Sequence, residues 1–221
     1  MTFRDIPDLL PFRELQTRGA VSTGSALLVG FDPPARQDPA RVAAVRADPC
    51  AALFGKHTGQ RLPIAFFSDY NCPNCRVLDA ILLDHDAANP GTIRIIRHEL
   101  PLLGAASRIA SQAVLAAGRQ GGAAALHDRL MRAGLVTDLD FVVALAESVG
   151  LDGQRLVADM QTPEIASALD MSKAIASVFG FYGTPSTVIG RTVFMGALSA
   201  TDVAQIIDLE LAGPPLACLG G

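Results

Sequence analysis

Two cysteines at the junction of an apolar strand and a helix constrain this chain more than any other feature. An apolar run ends at Phe67, and a short polar turn then leads to Cys72 and Cys75, which two residues separate. From Arg76 to Ala88 the apolar residues have helical spacing. The pattern predicts a strand, a C-P-N-C turn and a helix, with Cys72 at the helix entrance. Pro73 then takes the first helical position, where a missing N–H costs nothing.

The helix after the cysteines is predicted to bury one face. Its apolar side comprises Val77, Leu78, Ile81 and Leu82. Its opposite, solvent-facing side is predicted to carry Asp79, Asp84 and Asp86.

The position of Cys72 predicts a reactive thiol. A thiolate at a helix start receives unpaired backbone N–H groups and the positive end of the helix dipole. Both effects lower the pKa of Cys72 below the ordinary thiol value. Cys75 lies one turn further in, where the chain shields it, so it is expected to resolve a mixed disulfide formed on Cys72.

A zinc half-site and a pair of inert buried cysteines are the alternatives to redox chemistry. Structural zinc needs a second ligand pair, and the sequence contains neither a second C-x-x-C nor an H-x-x-x-H. Redox chemistry is therefore the favoured interpretation, and neither a metal nor a cofactor is expected.

Three segments together resemble the DsbA-like branch of the thioredoxin superfamily. They are F-F-S-D-Y-N-C-P-N-C from Phe66, the stretch His98 to Ser107, and the element Gly183-Thr184-Pro185-Ser186. The likeness extends over about Arg61 to Leu211 and implies an α/β thioredoxin fold with an inserted helical subdomain.

The resemblance also assigns roles near the far end of the domain. It implies that Pro185 is a cis-proline whose loop lies against the cysteines. The backbone N–H and C=O of Thr184 are then expected to be free to pair with an extended substrate beside Cys72.

Acidic residues near the cysteines depart from the superfamily pattern. Many thioredoxin relatives carry a buried carboxylate six positions before the first cysteine, and Phe66 stands there in this chain. Water or another carboxylate is expected to replace that proton relay. Asp69 either tunes the Cys72 thiol or serves as a capping or solvated carboxylate, and the second role is favoured. Pro73 and Asn74 add no charge between the cysteines, which predicts a weaker oxidant than relatives with His there.

The chain divides into three parts by composition and pattern. Residues 1–60 are rich in proline and read as an appendage packed on the core, with a strand predicted at Ala26–Phe31 and a helix beginning at Pro39. Residues 61–213 form the DsbA-like domain, whose helical insertion occupies about 105–180 as four or five helices. Residues 214–221 form a C-terminal tail.

Strand signals flank the predicted insertion. Thr92 to His98 alternates and predicts a second strand, parallel to the first. A β-hairpin over Ser186–Ile189 and Thr192–Met195 follows the insertion, and a last helix spans Ala200–Leu211. His57, His85 and His127 have no ligand spacing and are expected at the surface.

Charge and hydropathy exclude several classes of function. The net charge is −4 and the basic residues are scattered, so no nucleic-acid partner is expected. No apolar stretch reaches the length of a membrane span, and the first residues lack the pattern of a signal peptide. The family resemblance nevertheless favours a periplasmic location with the signal replaced, and a cytoplasmic location is the alternative.

Cys50 and Cys218 lie near opposite ends of the chain. They form a structural disulfide if their Cα atoms come within about 7 Å. Two free thiols and intermolecular bonding are the other interpretations.

The sequence thus predicts a monomeric protein thiol-disulfide oxidoreductase, with dithiol oxidase as the favoured direction. Its expected partners are thiol- or disulfide-containing proteins and a second redox protein that resets the cysteine pair. The alternatives are a disulfide reductase or isomerase, a glutathione-dependent isomerase or transferase, and a non-catalytic thiol or metal-binding protein.

Overall fold

The computed structural model describes residues 1–16, 19–23, 37–55 and 61–214. The strand predicted at residues 26–31, His57, Cys218 and the tail beyond residue 214 lie outside these ranges. The domain boundaries at residues 60 and 213 stay predictions.

The described part of the chain contains six strands, nine α-helices and a short 3-10 helix at Pro7–Leu9. The strands are β1 (Phe3–Asp5), β2 (Arg13–Leu15), β3 (Leu62–Ser68), β4 (Ile93–Glu99), β5 (Ser186–Ile189) and β6 (Thr192–Met195). The helices are α1 (Pro39–Ala47), α2 (Pro49–Phe54), α3 (Pro73–Ala88), α4 (Ala105–Gly118), α5 (Ala123–Arg132), α6 (Leu139–Ser148), α7 (Gly153–Met160), α8 (Pro163–Phe179) and α9 (Ala200–Ala212).

All six strands form one mixed sheet in the order β1-β2-β6-β5-β3-β4. β3 pairs with β4 in parallel and with β5 in antiparallel fashion, so it lies inside the sheet. Every residue of β3 is buried, as its continuous apolar run predicts for a strand with both faces covered.

The unit β3-α3-β4 and the later unit β5-β6-α9 form the thioredoxin-type core. The predicted hairpin is confirmed, because β5 and β6 pair in antiparallel register with Ile189 opposite Thr192. α9 begins at Ser199, whose hydroxyl accepts the Asp202 N–H at 3.1 Å. Five helices, α4 to α8, lie between β4 and β5.

The N-terminal residues extend the same sheet. β2 pairs with β6 in parallel, and β1 pairs with β2 in antiparallel fashion. Further along, Ala20 and Ser22 make isolated antiparallel bridges to Ala197 and Thr184. The N-terminal chain therefore runs past the loop that the sequence associates with the cysteines.

Two apolar clusters flank the sheet. One contains Phe66, both cysteines of the C-P-N-C turn and apolar residues of α3, α4 and α9. The other contains Phe67 with residues of α1, α2 and α8. Because side chains alternate along a strand, consecutive residues of β3 supply both clusters.

The predicted faces of α3 are partly wrong. Leu78 and Leu82 are buried as expected, but Val77 is 53 % exposed and Asp79 only 3 % exposed. Asp79 is buried because it interacts with His127 and Arg97, with oxygen–nitrogen distances of 3.1 and 3.5 Å. A buried hydrogen-bonding partner on a distant helix thus reverses what periodicity predicts.

Candidate active site

Cys72 is the N-cap residue of α3. Pro73 follows at the first helical position, and the Cys75 N–H donates to the Cys72 sulfur at 3.1 Å. This hydrogen bond satisfies one of the unpaired N–H groups of the first helical turn. The sequence therefore places Cys72 where backbone donors favour its charged form.

Hydrogen bonds lower the pKa of the Cys72 thiol to about 6. The largest contribution comes from the Cys75 thiol, and the opposing effect is burial. The side chains of Ser22 and Thr184 also favour the thiolate. The Thr184 hydroxyl is buried and lacks a nitrogen or oxygen partner among the described residues, which leaves it available to the Cys72 sulfur.

Cys75 has the opposite character. Burial raises the pKa of its thiol, and the neighbouring Cys72 raises it further through a hydrogen bond and through charge repulsion. Both thiols are free in this structure. The pair thus holds one acidic thiol and one thiol that keeps its proton.

The loop before β5 lies against Cys72. The Thr184–Pro185 peptide bond is cis. The Cys72 thiol donates to the Thr184 carbonyl oxygen at 3.4 Å. Residues 112 positions apart in the chain are thus in direct contact.

The prediction that the Thr184 backbone is free is wrong. The Ser22 N–H donates to the Thr184 oxygen at 2.7 Å, and the Thr184 N–H donates to the Ser22 oxygen at 2.9 Å. The physical reason is that the N-terminal chain pairs in antiparallel fashion with the loop before β5. Ser22 belongs to no motif, so nothing in the sequence indicates that it lies beside the cysteines.

Asp69 is a buried carboxylate that organises two loops. One oxygen accepts the Asn71 N–H at 2.8 Å. The other accepts the N–H groups of Leu102 and Leu103 at 2.8 and 2.9 Å. Asp69 therefore caps backbone groups, as favoured, but it is fully buried rather than solvated.

A polar network lies in the interior beside the turn that precedes Cys72. The Tyr70 hydroxyl is 2.9 Å from Glu99 Oε1 and 2.9 Å from His127 Nδ1. His127 Nε2 in turn lies 3.1 Å from Asp79 Oδ1 and 2.9 Å from the Arg97 Nε–H. Sequence patterns did not predict this network, because its five members belong to four segments that are distant from one another in the chain.

The prediction that His127 lies at the surface is also wrong. It is 1 % exposed rather than at the surface, because Tyr70, Asp79 and Arg97 satisfy its ring nitrogens. His98, at the end of β4, is a different case. It stacks on Phe67 with ring centroids 4.4 Å apart, and burial lowers the pKa of its imidazole.

Glu99 has an unusual titration behaviour for a carboxyl group. Burial raises its pKa to about 7, while the Tyr70 hydrogen bond acts in the opposite direction. Its Oε2 atom has no hydrogen-bond partner among the described residues. Glu99, Arg97 and His127 line a cavity of about 330 Å³ between β4 and the helices α4 and α5.

Cys50 lies on α2, within the second apolar cluster. It is disulfide-bonded. Cys218 lies outside the described residues, so the Cys50–Cys218 pairing stays a prediction.

No group of three or more His, Cys, Asp or Glu side chains that could hold a metal occurs in the described ranges. No described helix combines the length and apolar character that crossing a membrane requires.

Comparison with known proteins identifies the family. The model of the DSBA-like thioredoxin domain matches residues 63–208, which is more than half of the chain. The chain belongs to the DsbA-like thioredoxin family. The matched range begins in β3 and ends in α9, so it contains both cysteines and Pro185. The protein is accordingly a thiol-disulfide oxidoreductase.

Solved structures agree with this assignment. A thioredoxin-like oxidoreductase from Silicibacter pomeroyi is 31 % identical, with 75 % of this chain and 99 % of that one covered and a TM-score of 0.70. The catalytic domain of ScsC from Proteus mirabilis is 27 % identical, with 78 % and 99 % covered and a TM-score of 0.67.

A more distant structure shows the fold alone. The thiol-disulfide exchange protein alpha-DsbA2 from Wolbachia pipientis is 18 % identical, with 77 % of this chain and 95 % of that one covered and a TM-score of 0.66. The comparison with curated proteins gave no match.

Proposed function

We propose that this protein is a dithiol oxidase for protein substrates, with Cys72 as the exchanging sulfur and Cys75 as its partner in the redox-active disulfide. The observation that carries the proposal is the opposite acidity of the two thiols. The pKa of Cys72 is lowered to about 6 and that of Cys75 is raised. A reduced form that holds a stable thiolate makes the corresponding disulfide a stronger oxidant.

The exchange proceeds in two steps from the Cys72–Cys75 disulfide. A substrate thiolate attacks the Cys72 sulfur and forms a mixed disulfide, while Cys75 leaves and takes up a proton. A second substrate thiolate then attacks the substrate sulfur of that mixed disulfide. Cys72 leaves as the thiolate, and low leaving-group pKa makes this step fast. The substrate dithiol has then lost two electrons and two protons. Cys75 holds one of these protons and the solvent takes the other, so the protein ends reduced with Cys72 as the thiolate.

The loop at Thr184 and Pro185 supplies the substrate-binding edge in this proposal. Its support is the contact between the Thr184 carbonyl oxygen and the Cys72 thiol. Backbone pairing at such an edge accepts many sequences, because its hydrogen bonds do not read side chains. Pro73 and Asn74 shape the surface beside Cys72, and Asp69 supports it by fixing the preceding turn.

The proposal extends to the setting in which the protein works. An oxidase needs a second redox protein to remove electrons from the dithiol after each cycle. A periplasmic location suits such an oxidase, because disulfides persist in oxidising compartments. We propose a monomer, with residues 61–213 as the catalytic domain and 105–180 as its insertion.

A redox titration against glutathione tests the direction of exchange. We expect a reduction potential of roughly −200 to −130 mV for the Cys72–Cys75 pair, between those of glutaredoxin-like proteins and the strongest oxidants. The reduced protein is then stabilised relative to the oxidised one. A potential near −270 mV or below, typical of reductases, contradicts the oxidase proposal. Oxidation of a reduced, unfolded protein by the disulfide form is the accompanying activity test.

A further inference from the structure

We propose that residues 19–23, called the arm segment below, act as a built-in peptide that occupies the substrate edge until a substrate replaces it. Ser22 takes the position of the substrate cysteine. This inference rests on the proposed function and adds its regulation and the binding geometry of its substrate.

The backbone of the arm segment uses the hydrogen bonds that a substrate strand would use. Ser22 and Thr184 exchange both of their N–H···O bonds, at 2.7 and 2.9 Å. The bridge is antiparallel. Two reciprocal bonds between directly opposite residues define an antiparallel hydrogen-bonded pair. An incoming peptide cannot pair with Thr184 while these bonds exist.

The Ser22 side chain faces Cys72. It acts as a hydrogen-bond partner of the Cys72 sulfur, and Asn74 Nδ2 is 3.4 Å from its oxygen. Val21 and Thr23 lie on the other side. Their Cβ and Cγ2 atoms are 3.4 and 3.1 Å from where a Cβ on Gly183 would be. This alternation is that of an extended chain.

Serine differs from cysteine by one oxygen in place of sulfur. A substrate cysteine that paired with Thr184 in the same register would place its sulfur toward Cys72, as a mixed disulfide requires. The arm segment thus resembles a bound substrate that is unable to react.

Cys72 is covered in this arrangement. Its exposed fraction is 0 %. Attack on or by Cys72 requires a second sulfur in line with it, so an external thiol or disulfide must first gain access. The arm segment contacts Cys72 and its neighbour Asn74, so its departure opens this approach.

Glycines let the arm segment approach so closely. A Cβ on Gly19 would be 2.2 Å from the Ala197 oxygen, and one on Gly196 would be 2.3 Å from the Gly19 carbonyl carbon. Gly19 also donates its N–H to the Met195 oxygen at 3.1 Å. Backbone lies against backbone along this stretch, so a side chain on Gly19 must displace the arm segment.

The arm segment also indicates which substrates fit. Val21, directly before Ser22, packs against the apolar cluster that contains Phe181 and Met195. A substrate peptide in the same register would place an apolar residue there. We therefore expect a preference for extended peptides with a small apolar residue directly before the reacting cysteine.

Cysteine placement in the arm segment tests the register. In a Cys75→Ser background, Ser22→Cys is combined with diamide as the oxidant. Diamide takes up the two thiol hydrogens and becomes the hydrazine, and the two sulfurs join. We expect an intramolecular disulfide to Cys72, identified by peptide mass mapping, at a rate about tenfold above that of the matched controls Val21→Cys and Thr23→Cys. Equal rates in all three variants, or no bond from position 22, overturn the proposal.

Displacement of the arm segment tests its covering role. Gly19→Ala is expected to raise the alkylation rate of Cys72 by iodoacetamide about tenfold, because two backbone hydrogen bonds at Thr184 are weakened. Gly118→Ala is the matched control, since a Cβ there meets only Ala123 at an ordinary 3.8 Å. An unchanged alkylation rate in Gly19→Ala overturns the covering role.

These outcomes separate the two proposals. Neither the disulfide that diamide forms between residue 22 and Cys72 nor the alkylation rate of Cys72 depends on the direction of physiological exchange. A reductase-like potential with a position-specific bond to Cys72 rejects the oxidase and retains the arm segment as a substrate mimic. An oxidising potential without that bond retains the oxidase and rejects the mimic.

Discussion

Individual side chains decide the chemistry of the cysteine pair. Cys72 receives its N–H donor from the first turn of α3, a consequence of local sequence alone. Its largest stabilising partner, however, is the Cys75 thiol. The acidity of Cys72 therefore depends on whether residue 75 can donate a hydrogen bond.

Substitution of Cys75 tests this dependence. We expect the Cys72 thiol to titrate near pH 6 in the reduced protein. Cys75→Ala should raise the Cys72 pKa by about one unit, since a hydrogen-bond donor to the thiolate is lost. Cys75→Ser keeps a hydroxyl donor and serves as the control, with a pKa closer to that of the parent. Ultraviolet thiolate absorbance against pH measures all three, and equal values in both variants contradict the role of the Cys75 side chain.

The next scale is that of the packed elements, where β4, α3 and α5 share a buried polar network. The hydroxyl of Tyr70, from the turn before α3, contacts both Glu99 of β4 and His127 of α5 in the interior. The Glu99 carboxyl has a pKa raised from 4.5 to about 7 by burial. It is therefore largely neutral in the folded protein under conditions where it ionises in the unfolded chain.

The sign of its effect on stability follows from this difference. A group with a raised folded pKa contributes stability that is fully present below the unfolded pKa and is lost as pH rises through the folded pKa. Glu99 should therefore reduce the free energy of unfolding by on the order of 2–3 kcal/mol between about pH 4.5 and 7.

The substitution Glu99→Gln removes this titration. We expect a flatter dependence of the free energy of unfolding on pH in that window, measured by urea denaturation. Asp140→Asn provides a control, because Asp140 is an acidic residue of the first turn of α6, outside the network. A pH dependence that is unchanged by Glu99→Gln contradicts the raised pKa.

At the scale of the whole molecule, distant parts of the chain are joined at the β2 end of the sheet. Arg13 of β2 donates to Glu210 of α9 at 2.7 Å, and the Thr192 hydroxyl donates to the same oxygen at 2.6 Å. Glu210 is only 7 % exposed. The N-terminal strands are thus tied to the last helix through one buried carboxylate.

Truncation of this carboxylate should be costly. We expect Glu210→Ala to lower the free energy of unfolding by about 3 kcal/mol, because the half-buried Arg13 and Arg191 both lose their carboxylate partner. The exposed pair Arg4–Glu14, at 2.6 Å, is the control, and Arg4→Ala should cost about 0.5 kcal/mol or less. Chemical denaturation measures both. Similar losses of unfolding free energy in the two variants contradict the proposal that Glu210 holds the N-terminal strands to α9.

The predicted Cys50–Cys218 disulfide would act at the same scale. Closing a loop of roughly 168 residues should contribute about 5 kcal/mol in the chain-entropy model, an upper figure. An unstrained structural disulfide resists glutathione, unlike a catalytic one. We expect mass mapping after mild reduction to find Cys50 and Cys218 linked while Cys72 and Cys75 are open. Cys50→Ser should lower the melting temperature and leave the redox potential unchanged. Alkylation of both residues in the air-oxidised protein contradicts the pairing.

Much of the core was predictable because its signals are local. The continuous apolar run of β3, the proline after Cys72 and the spacing of C-P-N-C place the cysteine at a helix start without any tertiary information. The hairpin of β5 and β6 is likewise local, since its two strands are separated by Gly190 and Arg191. Such features depend on residues a few positions apart, which is the range that a sequence pattern records.

Only the tertiary structure decided which polar groups meet in the interior. Asp79 looked like a surface residue of α3, and its burial depends on His127, which lies 48 positions later. Ser22 belongs to no sequence pattern, yet it pairs with Thr184 and its side chain is a hydrogen-bond partner of Cys72. Periodicity records whether a residue is polar and where it lies on its own element, but not which distant group satisfies its hydrogen bonds. The sequence alone determined the reactive cysteine pair, and the folded chain decided what lies against it.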